Sequence, residues 1–136
     1  MNLYTSYFSK WKKLSLADAS YVSIAVGNPK YPVPYKIVDA RILKPYGAFG
    51  VVDNDEFKRR YFKRLDSFGV EKILKELETV SEGHENVILL CHEKDESVCH
   101  RRMFAEWWYE NTGELIEEYG KALGVEQLTF EELTKP

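Results

Sequence analysis

The run NVILLC, Asn86 to Cys91, limits most sharply what this chain can fold into. Every position after Asn86 is apolar, and polar, turn-rich segments bound it on both sides, SEGHEN before and HEKDES after. A strand with one face in water alternates apolar and polar residues. A strand without alternation is covered on both faces, as in a parallel sheet. Parallel neighbours need crossover connections, and helical patterns lie on either side of the run.

Upstream, Asp55 opens a predicted helix in which Phe57, Tyr61, Phe62 and Leu65 recur at helical spacing. Lys58, Arg59, Arg60, Lys63 and Arg64 fill most other positions. Gly69 separates this helix from VEKILKELETV, where Val70, Ile73, Leu74 and Leu77 form a second apolar stripe. Downstream, a helix is expected from about Glu96 to Glu110, stopped by Asn111-Thr112-Gly113. Leu3–Phe8 and Tyr21–Val26 read as strands, with a short helix or loop over Trp11–Ala19 between them. Pro29, Pro32 and Pro34 make the next segment a loop or extended crossing. YKIVDARIL reads as a further strand and Glu114–Tyr119 as a last one, with helix the alternative for the latter. FEELT is a short helix or tail. Strands alternating with helices give a single α/β domain over residues 1–136 with a mostly parallel sheet.

A chain of 136 residues, 44% hydrophobic and 30% charged, has the composition of a globular domain able to bury its own core. No apolar run is long enough to span a bilayer, and MNLYTSYFSKWKK has no signal-peptide core. Two cysteines without such a signal point to a cytoplasmic protein whose thiols stay free or serve chemistry. Residues 1–64 carry twelve Lys and Arg against five Asp and Glu, and residues 65–136 carry seven against seventeen. This asymmetry fits a polyanion-binding face, but fits better two oppositely charged halves folded onto one another.

Ligands gather beyond the carboxyl ends of parallel strands, where loops lead into helix N-termini. NVILLC followed by HEKDES and a helix is that arrangement, with Asp95 the predicted N-cap and Glu96 and Ser97 in the first turn. The candidate catalytic residues are therefore Cys91, Glu93, Cys99, His100 and Arg101. A helix N-terminus and a guanidinium favour thiolate, His100 exchanges a proton near neutral pH, and Arg101 suits a carboxylate or phosphate. Thr5 and Ser6, at the polar end of the first strand, border the same cleft if that strand is central and parallel. Ordinary packing accounts for several of these residues as well. Cys99, Met103 and Trp107 share one helix face, Cys91 ends a buried strand, and Arg101 can pair with Glu93 or Asp95. Phosphatase-like or rhodanese-like loops, zinc ribbons, thioredoxin-type C-x-x-C and glycine-rich phosphate loops all fail on spacing, so no metal is assigned and the cofactor is unknown.

LLCHEKDESVCHRR resembles the hallmark of the uncharacterised family called domain of unknown function 488, an LLC-x-E, short loop, CHR pattern followed by a helix. Leu89-Leu90-Cys91, Glu93 and Cys99-His100-Arg101 carry the match. Tyr4–Phe8, Ser23-Ile24-Ala25, Pro29, Leu43, Pro45 and Tyr61 are similar to the compact branch of that family, so the resemblance covers roughly residues 2–119 and leaves 120–136 as an extension. It implies a Rossmann-like three-layer α/β fold, a site at the two cysteines, and Tyr61 beside Thr5 and Ser6 as substrate-binding residues. It implies no settled activity. Asp39-Ala40-Arg41 is similar to an Asp-x-Arg of the longer branch, and whether Asp39 and Arg41 belong to the site stays open.

Three functions follow. One is an enzyme or binding protein for a small anionic or nucleotide-like molecule at the cysteine motif. A second is a nucleic-acid module using helix 58–64 with Lys10, Lys12 and Lys13. The third is an architectural cysteine motif in a partner-binding protein. No membrane association is expected, and the oligomeric state is open.

Overall fold

A computed structural model describes residues 1–14, 16–92 and 100–119. Among these, β1 (Asn2–Tyr7), β2 (Ala19–Ser23), β3 (Ile37–Asp39), β4 (Asn86–Cys91) and β5 (Glu117–Glu118) form one sheet. Its order is β3-β2-β4-β1-β5 and every pairing is parallel. β4 is the middle strand, paired with β1 from Asn2↔Asn86 to Tyr7↔Cys91 and with β2 from Ala19↔Asn86 to Ser23↔Leu90. Val87 to Cys91 are buried, as a strand without polar alternation requires.

The layers follow from the handedness of crossovers. α1 (Asn54–Ser81) joins β3 to β4, and α2 (His100–Thr112) lies between β4 and β5. Both connections step the same way across the sheet, so right-handed crossing places both helices on one face. Val87 and Leu89 pack there with Tyr61, Leu65, Ile73, Leu77, Phe104 and Trp108. The connections β1–β2 and β2–β3 step the opposite way and cover the other face. There Phe8, Leu14 and Ala25 pack on Ile88 and Leu90, with Tyr21, Tyr35 and Tyr119 at the margin. That second cover contains a 3-10 turn (Phe8–Lys13) and proline-rich coil, with no α-helix among the described residues. The α/β class and the parallel sheet hold.

Local chemistry explains where elements start and stop. α1 begins before Asp55 because the Asp53 carboxylate accepts from the amides of Asp55 at 2.9 Å and Glu56 at 3.4 Å, capping the free donors. Gly69, at φ 82°, breaks the helical path and makes α1 two segments in contact, each with its own buried stripe. β2 ends at Ser23, short of Val26: the Ile24 amide still donates to Leu90 O at 3.0 Å, but Ala25 turns its amide to the Ser23 hydroxyl at 3.3 Å. YKIVDARIL contains only the three-residue β3 followed by a 3-10 turn, Arg41–Leu43. Glu114–Tyr119 yields the two-residue β5, with Tyr119 N donating to Thr5 O at 2.7 Å. α2 runs to Thr112, where the Asn111 and Thr112 side chains bond back to the carbonyls of Trp107 and Trp108. The predicted start of α2 at Glu96, its Asp95 cap and FEELT lie outside the described residues.

Lys36–Glu82 at 3.1 Å and Lys58–Glu106 at 2.6 Å join the basic and acidic parts of the chain. Each exposed pair contributes little stability, but together they show the two halves meeting in space. No helix among the described residues is long and apolar enough to cross a membrane.

Candidate functional site

The carboxyl end of β4 leads to two neighbouring arrangements, one sealed and one open. In the sealed one, Arg101 is fully buried in the first turn of α2. Its Nη1 donates to Cys91 Sγ at 3.2 Å. Its Nε and Nη2 fork onto Glu118, with Nε at 3.0 and 3.1 Å from the two oxygens and Nη2 at 2.8 Å from Oε2. The guanidinium also lies 5.5 Å over the Tyr7 ring. Thr5 Oγ1 donates to Glu118 Oε1 at 2.6 Å and accepts from Arg102 Nη1 at 2.8 Å, while the same Nη1 reaches Ile116 O at 2.9 Å. A desolvated ion pair is tolerated where the fork is bidentate and the remaining acceptors are satisfied. This network therefore ties α2 to β1, β4 and β5, and holds the two-residue β5 at the sheet edge.

Cys91 is itself buried and disulfide-bonded. Of the thiols expected to stay free or serve chemistry, this one is not free. Ser6 is fully buried, and its hydroxyl has no hydrogen-bond partner among the described residues. Leaving a buried hydroxyl unpaired costs about 1–3 kcal/mol. Ser6→Ala is thus expected to raise the unfolding free energy by about 1 kcal/mol, read as a higher denaturant midpoint at unchanged slope; a lower midpoint would contradict it.

The open arrangement is a hollow of about 450 Å³ beyond the ends of β2 and β4. The β2–β3 connection supplies Asn28, Pro29, Lys30 and Tyr31, and α1 with its preceding loop supplies Pro45, Phe49 and Phe57. His92 and His100 complete the wall. His100, 8% exposed, bonds through Nε2 to Ile24 O at 2.6 Å. His92 bonds through Nε2 to Gly27 O at 2.5 Å. A carbonyl only accepts, so each Nε2 carries a proton in this arrangement. Rings support both imidazoles: Phe8 lies 4.9 Å from His92, and Tyr61 and Phe57 lie 5.8 and 6.3 Å from His100. The connections leaving β2 and β4 pass to opposite faces of the sheet, which is where a parallel α/β sheet opens a crevice.

Residues 41–108 match the family "Domain of unknown function DUF488". The chain belongs to the DUF488 family. No curated protein and no solved structure matches it. The matched span of this DUF488 protein includes Cys91, His92, His100, Arg101 and Tyr61, but neither Thr5 and Ser6 nor the Lys30 side of the hollow.

The sequence candidates are thus divided in space. His100 lines the hollow. Cys91, Arg101 and Thr5 form the sealed network beside it, and Glu93 and Cys99 lie outside the described residues. Tyr61 is fully buried and donates to Leu43 O at 2.5 Å; burial pushes its phenol far above the ordinary tyrosine range. Asp39 bonds Asn28 at 3.1 Å and Lys44 at 2.5 Å. Burial raises its pKa, but hydrogen bonds from Lys44 and Asn28 outweigh that and leave it below the usual value. Arg41 contributes its carbonyl, which accepts from Arg64.

Sequence reasoning missed Lys30, Tyr31, Phe49 and Phe57 as lining residues. His92 was legible in principle, because it follows Cys91 directly at the strand end.

The cations of helix 58–64 are largely engaged within the chain. Lys58 pairs with Glu106, and Arg59 and Arg60 with Glu56, whose carboxyl their hydrogen bonds pull down to about 2. Arg64 donates to Lys44 O and Arg41 O and lies over Tyr46 and Phe68. Tyr61 is sealed, and Phe62 lies beneath Lys58.

Proposed function

We propose that this DUF488 protein binds a small anionic, ring-bearing molecule, nucleotide-like in size, in the hollow beyond β2 and β4. The observation carrying this reading is the make-up of that wall. Lys30 and two imidazoles face a space that Tyr31, Phe49 and Phe57 border with aromatic carbon. A small-molecule site typically has several hundred cubic ångströms, mostly apolar lining and a few convergent polar groups. The Lys30 ammonium suits an anion, and flat rings suit a flat ligand.

Of the motif residues, His100 is the candidate to handle a proton on a bound substrate. Arg101 and Cys91 position it by holding the first turn of α2 against β4, and Glu93 and Cys99 belong by sequence to the connecting segment. Any reaction would be of the acid–base or group-transfer kind on that anion.

Adenosine 5′-monophosphate, titrated calorimetrically at low salt, is the probe. Lys30→Ala is expected to weaken its binding by about tenfold, or roughly 1.4 kcal/mol. Lys63→Ala, remote on α1, is expected to leave it unchanged. Equal losses in both variants, or no heat at millimolar nucleotide, would reject the reading.

A further inference from the structure

The two loops that border the hollow carry exposed aromatic rings. Tyr31 and Tyr46 are each 42% exposed and Phe49 is 71% exposed. The other exposed large apolar side chains among the described residues, Met1, Val52, Leu74 and Leu115, are aliphatic. Tyr31 and Phe49 line the hollow, and Tyr46 follows Pro45, which also lines it. Exposed apolar surface gathered in one place marks a contact site.

The segment before α1 is held in place from below. Tyr61 donates to Leu43 O at 2.5 Å, Arg64 to Lys44 O at 2.8 Å and Arg41 O at 3.0 Å, and Arg60 to Gly47 O at 3.4 Å. Within the turn, the amides of Ala48 and Phe49 donate to Pro45 O at 3.1 and 3.0 Å, and Ala48 is fully buried. Gly47 and Gly50 stand at φ 87° and 88°, a backbone that glycine adopts without strain. Phe49 is thus presented outward from a fixed turn, so little ordering opposes binding there.

The guanidiniums behind this turn keep their charge. Arg64 is bonded to carbonyls and lies 5.2 Å from the centre of the Tyr46 ring, and no carboxylate pairs with it among the described residues. Arg59 and Arg60 share the single carboxylate of Glu56, at 2.5 and 3.1 Å, which leaves that cluster positive. Arg60 and Arg64 stand one helical turn apart on one face of α1. Carbonyls orient a guanidinium without neutralising it, and guanidiniums suit phosphate.

We propose that the surface running from Phe49 across Tyr46 to Arg60 and Arg64 binds a single-stranded oligonucleotide whose terminal nucleotide occupies the hollow. This rests on the nucleotide reading above and extends it from one nucleotide to a strand. Exposed rings stack unpaired bases of any sequence, and cations beside them take the phosphates. A duplex hides its base faces and gains nothing from the rings.

Calorimetric titration of the full chain at low salt tests this, with hexaadenylate as RNA and as DNA beside adenosine 5′-monophosphate. Hexaadenylate is expected to bind about tenfold tighter than the mononucleotide, as one further stacked base provides. A gain in only one of the two strands identifies its sugar, and a hairpin duplex is expected to show none. Tyr46→Ala is expected to erase most of the gain and Arg60→Ala to flatten its salt dependence, whereas Lys30→Ala weakens mononucleotide and strand alike. Hexaadenylate no tighter than the mononucleotide, a hairpin bound equally well, or a gain untouched by Tyr46→Ala would overturn the inference. So would a chain that binds no strand but forms a concentration-dependent dimer that Phe49→Ala dissociates, which would assign the surface to a second copy. Mononucleotide bound at Lys30 without any gain for the strand rejects this inference alone. A silent mononucleotide beside a strand held through Tyr46 rejects the seat in the hollow and keeps the platform.

Discussion

Replacing Glu118 with alanine is expected to destabilise the protein by about 3–5 kcal/mol, the usual cost of removing one partner from a buried ion pair. Three guanidinium contacts and the Thr5 hydroxyl bond end on this carboxylate. Its loss removes those contacts from a fully buried Arg101. It also frees β5, whose ladder to β1 is only two residues long. The penalty belongs to the uncompensated charge rather than to any large net value of the pair. An Arg101→Leu/Glu118→Leu double variant is therefore expected to recover most of the loss. Urea unfolding followed by the fluorescence of Trp107 and Trp108 reads both. A midpoint unchanged by Glu118→Ala would contradict the account of the sealed network.

Phe104→Ala is expected to cost about 3–5 kcal/mol through loss of buried ring area and the cavity left behind. Phe104 is completely buried, with its ring 6.3 and 5.9 Å from those of Trp107 and Trp108, in the cluster that includes Leu65, Ile73 and Leu89. The same truncation at Phe49, 71% exposed at the rim of the hollow, is expected to change stability by less than about 0.5 kcal/mol. Thermal and urea unfolding of the two variants side by side would show whether the core and the rim are as separate as the packing implies.

What was legible in the sequence was the part governed by local pattern. NVILLC announced a central strand, the spacing of Phe57, Tyr61 and Leu65 announced the buried face of α1, and Gly69 marked its break. Position in the sheet was a different matter. Nothing local in Glu117-Glu118 says that Glu118 turns inward to meet Arg101 from 17 residues away. On pattern alone, the obvious partners for Arg101 were Glu93 and Asp95.

The candidate site divides the same way. His100 was found because it follows the motif cysteine. Lys30 and Tyr31 were not, because they sit in a proline-rich loop with no periodicity, and only the parallel pairing of β2 with β4 brings that loop beside the motif. Tyr61, which the family resemblance placed beside Thr5 and Ser6, bonds Leu43 O inside the core, in keeping with its place on the apolar stripe of α1.

The histidines provide the most direct measurement of the central claim, because one of the three is a built-in control. His92 and His100 line the hollow, whereas His84 bonds Asp18 at 2.9 Å beyond the opposite, amino-terminal ends of β2 and β4. Nitrogen-15 NMR of the imidazoles during an adenosine 5′-monophosphate titration is expected to shift the His92 and His100 resonances together, saturating at one dissociation constant, while His84 stays still. Motion of all three in parallel, or of His84 alone, would contradict a ligand site in the hollow.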